Sequence, residues 1–171
     1  MTMDSEVMMI VSLNGWSYPA KKMVTLKVPG ADRRITLNAM CAPLLIAVAA
    51  DYHATVRPID VGVWDEGGLC DRNARGASQS KSNHANGTAI DLNWSEEGAL
   101  GSAWGKKFFA TAKAKLAVRA MKQRYGSCVQ WGGDWRALDY MHWEIKPGVT
   151  PDQVAALTAT LKIDKKGVRD A

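Results

Sequence analysis

Two short apolar segments, about fifty residues apart, each carry an ionisable side chain within a strand-like alternation. Asp91 lies between apolar neighbours in residues 88–94, and His142 does so in residues 140–145. Side chains along a strand point alternately to opposite faces, so each segment predicts a strand with one core-facing side and one polar side. If the two strands pair, Asp91 and His142 lie on the same side of one sheet.

A third ionisable residue that could join Asp91 and His142 precedes the first of these strands. The chain has three histidines, and His84 is followed by Gly87, which lets the chain turn back tightly toward Asp91. Catalytic zinc sites use three protein ligands, commonly imidazole nitrogens and carboxylate oxygens, and keep one position open. His84, Asp91 and His142 are therefore candidate zinc ligands. On spacing alone, roles in the core or at the surface stay open.

The remaining pattern predicts an α+β domain over residues 1–161. The 171-residue chain is 47% hydrophobic and 23% charged, which is typical of a globular domain. Strands are predicted at residues 24–28, 59–64 and 129–131, and helices at residues 38–55, 102–125 and 150–161. The polar, aperiodic residues 70–83 predict a long functional loop. Residues 162–171 predict a charged tail or linker to a further C-terminal domain.

Composition restricts the partners and the compartment. The formal net charge of +5 favours anionic partners, but no nucleic-acid-binding motif is present, so no nucleic acid is expected. Three cysteines without a CxxC pair argue against a disulfide framework and a thiolate zinc site. Residues 1–11 lack the features of a secretory signal, and no apolar run could span a bilayer, so synthesis in the cytoplasm is expected.

The two segments extend into motifs that resemble a known enzyme family. SNHANGTAID at residues 82–91 and DYMHW at residues 139–143 resemble the LAS group of zinc peptidases, which includes D-alanyl-D-alanine metallopeptidases and the Hedgehog domain. The likeness extends to NGW at residues 14–16 and WGGDW at residues 131–135. It implies an α+β fold in which a small, mainly antiparallel sheet carries zinc on one face and helices pack on the other.

The resemblance also implies roles for individual residues. It makes His84, Asp91 and His142 the ligands of one Zn²⁺ ion and Asp139 the general base. Because Asp139 lies three residues before His142, it faces the metal only from a bend that precedes the strand.

An arginine in the loop before the first motif is expected to stabilise the oxyanion of the reaction. Arg72 is favoured as a catalytic residue, and Arg75 is expected to bind substrate. Ser82 and Trp135 are further substrate-binding candidates. Loop or cleft-wall roles for these four residues remain open.

The function implied by the resemblance is zinc-dependent hydrolysis of the peptidoglycan stem peptide. The likeness is to the branch that contains D,D-carboxypeptidases and the L-alanyl-D-glutamate peptidases of phage endolysins, and an endolysin endopeptidase is the expected member. This implies a monomer that is made in the host cytoplasm, reaches the wall after release and contacts anionic wall polymers there. The tail would then lead to a wall-binding domain. A D-alanyl-D-alanine carboxypeptidase or dipeptidase is the alternative within the family, and a non-catalytic zinc-binding module is the alternative from another class.

Overall fold

The two strands with ionisable residues are neighbours in a three-stranded antiparallel sheet. Its strand order is β3 (Ala89–Asp91), β5 (His142–Ile145) and β4 (Val129–Trp131). Asp91 lies directly opposite His142, and one residue earlier Ile90 lies opposite Trp143. Ile90 and Trp143 are 0% and 1% exposed, so the alternation has one core-facing side, as the sequence predicts. The opposite side carries the ionisable residues.

The computed structural model describes residues 10–77, 80–97 and 101–169 and has the α+β architecture expected from the sequence. A separate antiparallel hairpin joins β1 (Met23–Lys27) to β2 (Arg34–Asn38). The helices are α1 (Ala42–Thr55), α2 (Trp94–Glu97), α3 (Ala103–Phe109), α4 (Ala112–Tyr125) and α5 (Pro151–Thr160). Residues 1–9, which belong to the segment without a secretory signal, lie outside the described ranges.

Helix α1 forms the centre of the hydrophobic core. Pro43 falls in its first turn, the position at which a helix tolerates proline. The buried face of α1 includes Leu44, Leu45 and Val48, each 0% exposed. The helix contacts the β1–β2 hairpin, α4 and α5. The core thereby supports the sheet from the side opposite the ionisable residues.

The strand predicted at residues 59–64 is wrong, because this segment is a series of bends. Gly62 has a φ of +86°, a left-handed conformation that interrupts an extended strand. Val61 and Val63 are 69% and 67% exposed. A β-branched alternation without a neighbouring strand therefore did not form β-structure here. The strand β2, by contrast, was missed.

The single helix predicted over residues 102–125 is also wrong, because it is divided into α3 and α4. Thr111 begins α4 as its N-cap, and its hydroxyl accepts a hydrogen bond from the Ala114 amide at 3.3 Å. On α4, Leu116 faces the solvent and is 67% exposed. The core face of α4 consists instead of Ala114, Val118, Met121 and Tyr125.

The start of the last helix is determined by local capping residues, whereas the tail is held by packing. The predicted start of α5 is confirmed, since Thr150 and Gln153 form a reciprocal capping box. Beyond α5 the tail turns back, with Ile163 paired to Arg169 by an isolated bridge and Ile163 buried. Residues 170–171 lie outside the described ranges. A linker to a further domain stays a prediction.

Candidate metal centre

The structure brings together the three candidate ligands on the polar side of the sheet. Nε2 of His84 lies 3.1 Å from Nδ1 of His142 and 3.2 Å from Oδ2 of Asp91. Nδ1 of His142 lies 2.9 Å from Oδ1 of Asp91. Among the described residues, these three side chains are the cluster of potential ligands that could hold a metal ion. They converge although 58 residues separate the two histidines.

The local chain conformation aims His84 at the sheet. His84 lies in a 3-10 turn, Asn83–Asn86, capped by Ser82, whose hydroxyl accepts a hydrogen bond from the His84 amide at 3.3 Å. Gly87 ends this turn with a φ of +63°. A Cβ atom at Gly87 would lie 2.6 Å from the backbone nitrogen of Asn38, so a larger residue does not fit. The predicted tight turn before β3 is confirmed.

Each histidine uses its second ring nitrogen for a hydrogen bond that fixes the ring. Nδ1 of His84 lies 2.7 Å from the carbonyl oxygen of Gly68. Nε2 of His142 lies 2.8 Å from Oε2 of Glu144. With both of these nitrogens donating, Nε2 of His84 and Nδ1 of His142 are left as the metal-facing atoms. Such outer hydrogen bonds set the tautomer and orientation of ligating histidines.

Glu144 is itself held by two amide side chains. Asn83 and Gln130 each donate a hydrogen bond of 2.6 Å to its carboxylate. The backbone amide of Asn14 in turn donates to Oδ1 of Asn83 at 2.9 Å. A chain of hydrogen bonds thus runs from the N-terminal loop to His142 and orients a side chain that faces the metal position.

These contacts set the charges of two candidate ligands. Burial opposes ionisation of Asp91, but hydrogen bonds with His142 and His84 outweigh it and lower the pKa of Asp91. Burial likewise disfavours a charged His142, but hydrogen bonds with Asp91 and Glu144 raise the pKa of His142 to about 10. A cation that binds here therefore meets a carboxylate at Asp91 and displaces a proton from His142.

Asp139 lies beside this group, outside the regular strand. It precedes β5 after the bend at residues 135–137, as its offset from His142 requires. Its amide donates to the Gly132 carbonyl at 2.9 Å, and a Cβ atom at Gly132 would lie 3.0 Å from the Cβ atom of Asp139. Oδ1 of Asp139 is buried and has no hydrogen-bond partner among the described residues. Burial raises the pKa of Asp139.

The two candidate arginines approach the centre differently. The charge of Arg75 acts on Asp139 and lowers its pKa, opposing the effect of burial. Arg75 is exposed, so its side chain is free to meet a ligand. Arg72 is half-buried and approaches through its backbone, whose carbonyl accepts a hydrogen bond from the Ser82 amide at 3.1 Å. Of the two arginines, Arg75 is the one whose charge acts on the candidate base.

The other two predicted substrate-binding residues lie next to the ligands. The ring of Trp135 is centred 5.0 Å from the ring of His142, and Trp135 is half-buried. It forms a wall beside the metal position. Ser82 is 6% exposed and its hydroxyl caps the turn that carries His84, which is the loop role considered from the sequence.

The donor set fits zinc. Two imidazole nitrogens and one carboxylate oxygen are typical ligands of a catalytic zinc ion. For bonds of 2.0–2.1 Å in a tetrahedron, ligand atoms are about 3.3 Å apart, close to the observed 2.9–3.2 Å. The buried, unpaired carboxylate oxygen of Asp139 adds an acceptor beside the three ligands.

Comparison with known proteins agrees with this geometry. A family described as D-alanyl-D-alanine carboxypeptidase matches residues 75–145, a stretch that holds all three candidate ligands and Asp139. Residues 75–145 are thus similar to this family of LAS-type zinc peptidases. No curated protein and no solved structure matches the chain. Within the described ranges, no helix of the chain is long and apolar enough to cross a membrane.

Sequence reasoning missed part of the candidate metal centre. The Gly68 carbonyl had no detectable signal, because any residue carries such an oxygen. Asn83 and Gln130 were not identified as partners of Glu144. Glu144 lies two residues after His142 in β5, so the strand alternation places both side chains on one face of the sheet.

Proposed function

We propose that this chain is a zinc-dependent peptidase that hydrolyses an amide bond in the stem peptide of bacterial peptidoglycan. The observation that carries the proposal is the convergence of His84, Asp91 and His142 beside the unpaired carboxylate oxygen of Asp139. The family match over residues 75–145 supports it. A site built only to bind a metal has no need of a buried acid next to its ligands.

The residues of the chain divide the work of hydrolysis. When bound, zinc supplies a Lewis acid that polarises the amide carbonyl and acidifies the attacking water. Asp139 accepts a proton from that water and delivers it to the leaving amine. Arg75 places positive charge near the oxygen that becomes anionic. Gly68 and Glu144 hold the two imidazoles in orientation, and Trp135 lines the cleft.

The bond we assign is the one between L-alanine and D-glutamate, as in the phage endolysins that the sequence resembles. In this proposal the protein acts as a monomer, is made in the host cytoplasm and reaches the wall after release. The net charge of +5 supports contact with an anionic wall. A wall-binding domain beyond residue 171 belongs to the same proposal.

A D-alanyl-D-alanine carboxypeptidase is the second candidate, because the matched family carries that description. The two activities attack different bonds of the same stem peptide, so the same site chemistry serves either. Their products differ and therefore decide between them.

The test combines metal analysis with digestion of purified peptidoglycan. We expect about one zinc per chain and new termini consisting of L-alanine carboxyl and D-glutamate amino groups, identified by mass spectrometry. Release of single D-alanine would instead assign the carboxypeptidase. Zinc-loaded protein that leaves peptidoglycan intact would reject the peptidase and favour a binding module.

A further inference from the structure

A strongly basic segment lies next to the metal centre but takes no part in it. Residues 101–133 contain seven lysines and arginines and no aspartate or glutamate. The segment includes α3 and α4, whose cationic residues are mostly exposed. Much of the chain's excess positive charge is thus placed on one pair of helices.

Three of these cations form a stripe on α4. Lys115, Arg119 and Lys122 are spaced four and three residues apart, so they share one face of the helix, and all three are exposed. Like charges at these spacings repel one another and destabilise a helix. Lys122 pairs with Asp134 at 2.6 Å, whereas Lys115 and Arg119 form no ion pair with the residues that the structure describes. These two charges therefore make no ion pair within the described residues that would stabilise the fold.

The stripe borders a small groove with an apolar floor. Phe109, Val118 and Trp131 line the groove together with the three cations, and its volume is about 210 Å³. Sites for drug-sized ligands are roughly 300–1,000 Å³, so this groove takes a group the size of a side chain. A matching ligand has negative charges along one side and small apolar groups along the other.

One end of the groove adjoins the segment that carries the wall of the metal centre. Asp134, the partner of Lys122, is followed by Trp135, whose ring lies beside that of His142. Trp131 in the groove floor is stacked on Trp143 of β5, with ring centroids 5.9 Å apart. Trp143 is on the core-facing side of the sheet, so the floor of the groove lies across the sheet from the metal position.

We propose that the groove beside α4, bordered by Lys115, Arg119 and Lys122, is a second binding site for the acidic stem peptides of peptidoglycan. The inference rests on the proposed function, which makes this peptide the substrate. D-Glutamate supplies carboxylates for the cations, and alanine supplies methyl groups for the floor. A phosphodiester polymer would satisfy the cations but leave the apolar floor uncovered.

The test measures binding to insoluble peptidoglycan from which covalently attached phosphodiester polymers have been removed. All variants carry Asp139→Asn so that the probe stays intact. The variant Lys115→Gln/Arg119→Gln removes two charges from the groove. The control Lys107→Gln/Lys113→Gln removes two exposed charges from the same helices outside the groove. Thermal unfolding checks that each variant folds, and the groove variant should lose no stability because it relieves repulsion.

We expect the groove variant to raise the dissociation constant roughly five- to tenfold and the control roughly twofold or less. The difference should shrink at high salt. Equal losses in both variants, no loss in either, or a groove effect seen only on walls that retain phosphodiester polymers would overturn the proposal. Digestion by the wild-type protein tests the proposed function separately. Groove-dependent binding without new peptide termini would reject the peptidase and leave the binding site in place.

Discussion

The backbone carbonyl oxygen of Gly68 lies 2.7 Å from Nδ1 of His84, so the backbone of one loop orients a candidate ligand carried by another. The approach depends on the absence of a side chain. A Cβ atom at Gly68 would lie 2.4 Å from the carbonyl oxygen of Thr36 and 2.7 Å from Cδ2 of Leu37. The packing of the loop against β2 is therefore coupled to the orientation of an imidazole.

Gly68→Ala should weaken zinc binding by roughly 10- to 100-fold, because the loop must move away and the outer hydrogen bond to His84 is lost. Competition with a chelator measures the dissociation constant. Leu69→Ala changes the exposed neighbour in the same loop and is the control. Equal zinc affinity in the two variants would show that the Gly68 carbonyl does not matter.

Glu144→Gln should weaken zinc binding by roughly tenfold or more, because a neutral amide supports the His142 ring less strongly than a carboxylate. The variant keeps the size of the side chain. Asp134→Asn removes an exposed carboxylate outside the centre and should leave zinc affinity unchanged. Isothermal titration of the metal-free proteins provides the comparison, and an unaffected Glu144→Gln variant would contradict the orienting role.

Asp139→Asn should retain zinc but lose turnover on the order of 100-fold or more, as expected for a missing general base. Its thermal stability should not fall, because Oδ1 of Asp139 has no hydrogen-bond partner among the described residues. Metal analysis, unfolding and digestion of peptidoglycan are measured on one preparation. A zinc-loaded variant with normal turnover would remove Asp139 from the mechanism.

Arg75→Ala should lower kcat on the order of 100-fold if its charge stabilises the anionic oxygen of the reaction. Arg72→Ala tests the residue favoured from the sequence and should have the smaller effect, because the charge of Arg75 is the one felt at Asp139. Steady-state kinetics on a soluble stem peptide separate kcat from KM. The reverse order of effects would return the role to Arg72.

Glu66 should make the folded state less stable as pH rises. Burial, together with the neighbouring Asp65, raises the pKa of Glu66 from its ordinary value of 4.5 to about 7. Between these two pH values the folded state binds more protons than the unfolded state, so the free energy of unfolding decreases with pH.

Glu66→Gln keeps an acceptor for Arg33, which contacts Glu66 at 2.7 Å, but removes the charge. Relative to the wild type, the variant should gain on the order of 2 kcal/mol between pH 4.5 and 8. Urea unfolding at several pH values measures this difference. Asp32→Asn, at an exposed acid nearby, is the control. A constant difference across the range would contradict the raised pKa.

Local sequence signals predicted much of the fold, and together with the resemblance to a known family they predicted the three candidate ligands that the structure brings together. The alternation in β3 and β5 placed Asp91 and His142 on one face, and their register put them directly opposite each other. The capping box at Thr150 and the turn at Gly87 were correct because each depends on residues within a few positions. Features determined by neighbours along the chain were therefore predictable.

Other features depended on contacts between distant parts of the chain. Residues 59–64 have a strand-like alternation but lack a partner strand, and the left-handed Gly62 turns them outward. The Gly68 carbonyl reaches His84, and the amide of Asn83 reaches Glu144, only because the loops fold together. Residue identity sets which atoms can bind a metal or accept a proton. Three-dimensional proximity sets which hydrogen bonds orient them, because a backbone carbonyl or an amide group has many partners in principle and packing selects one.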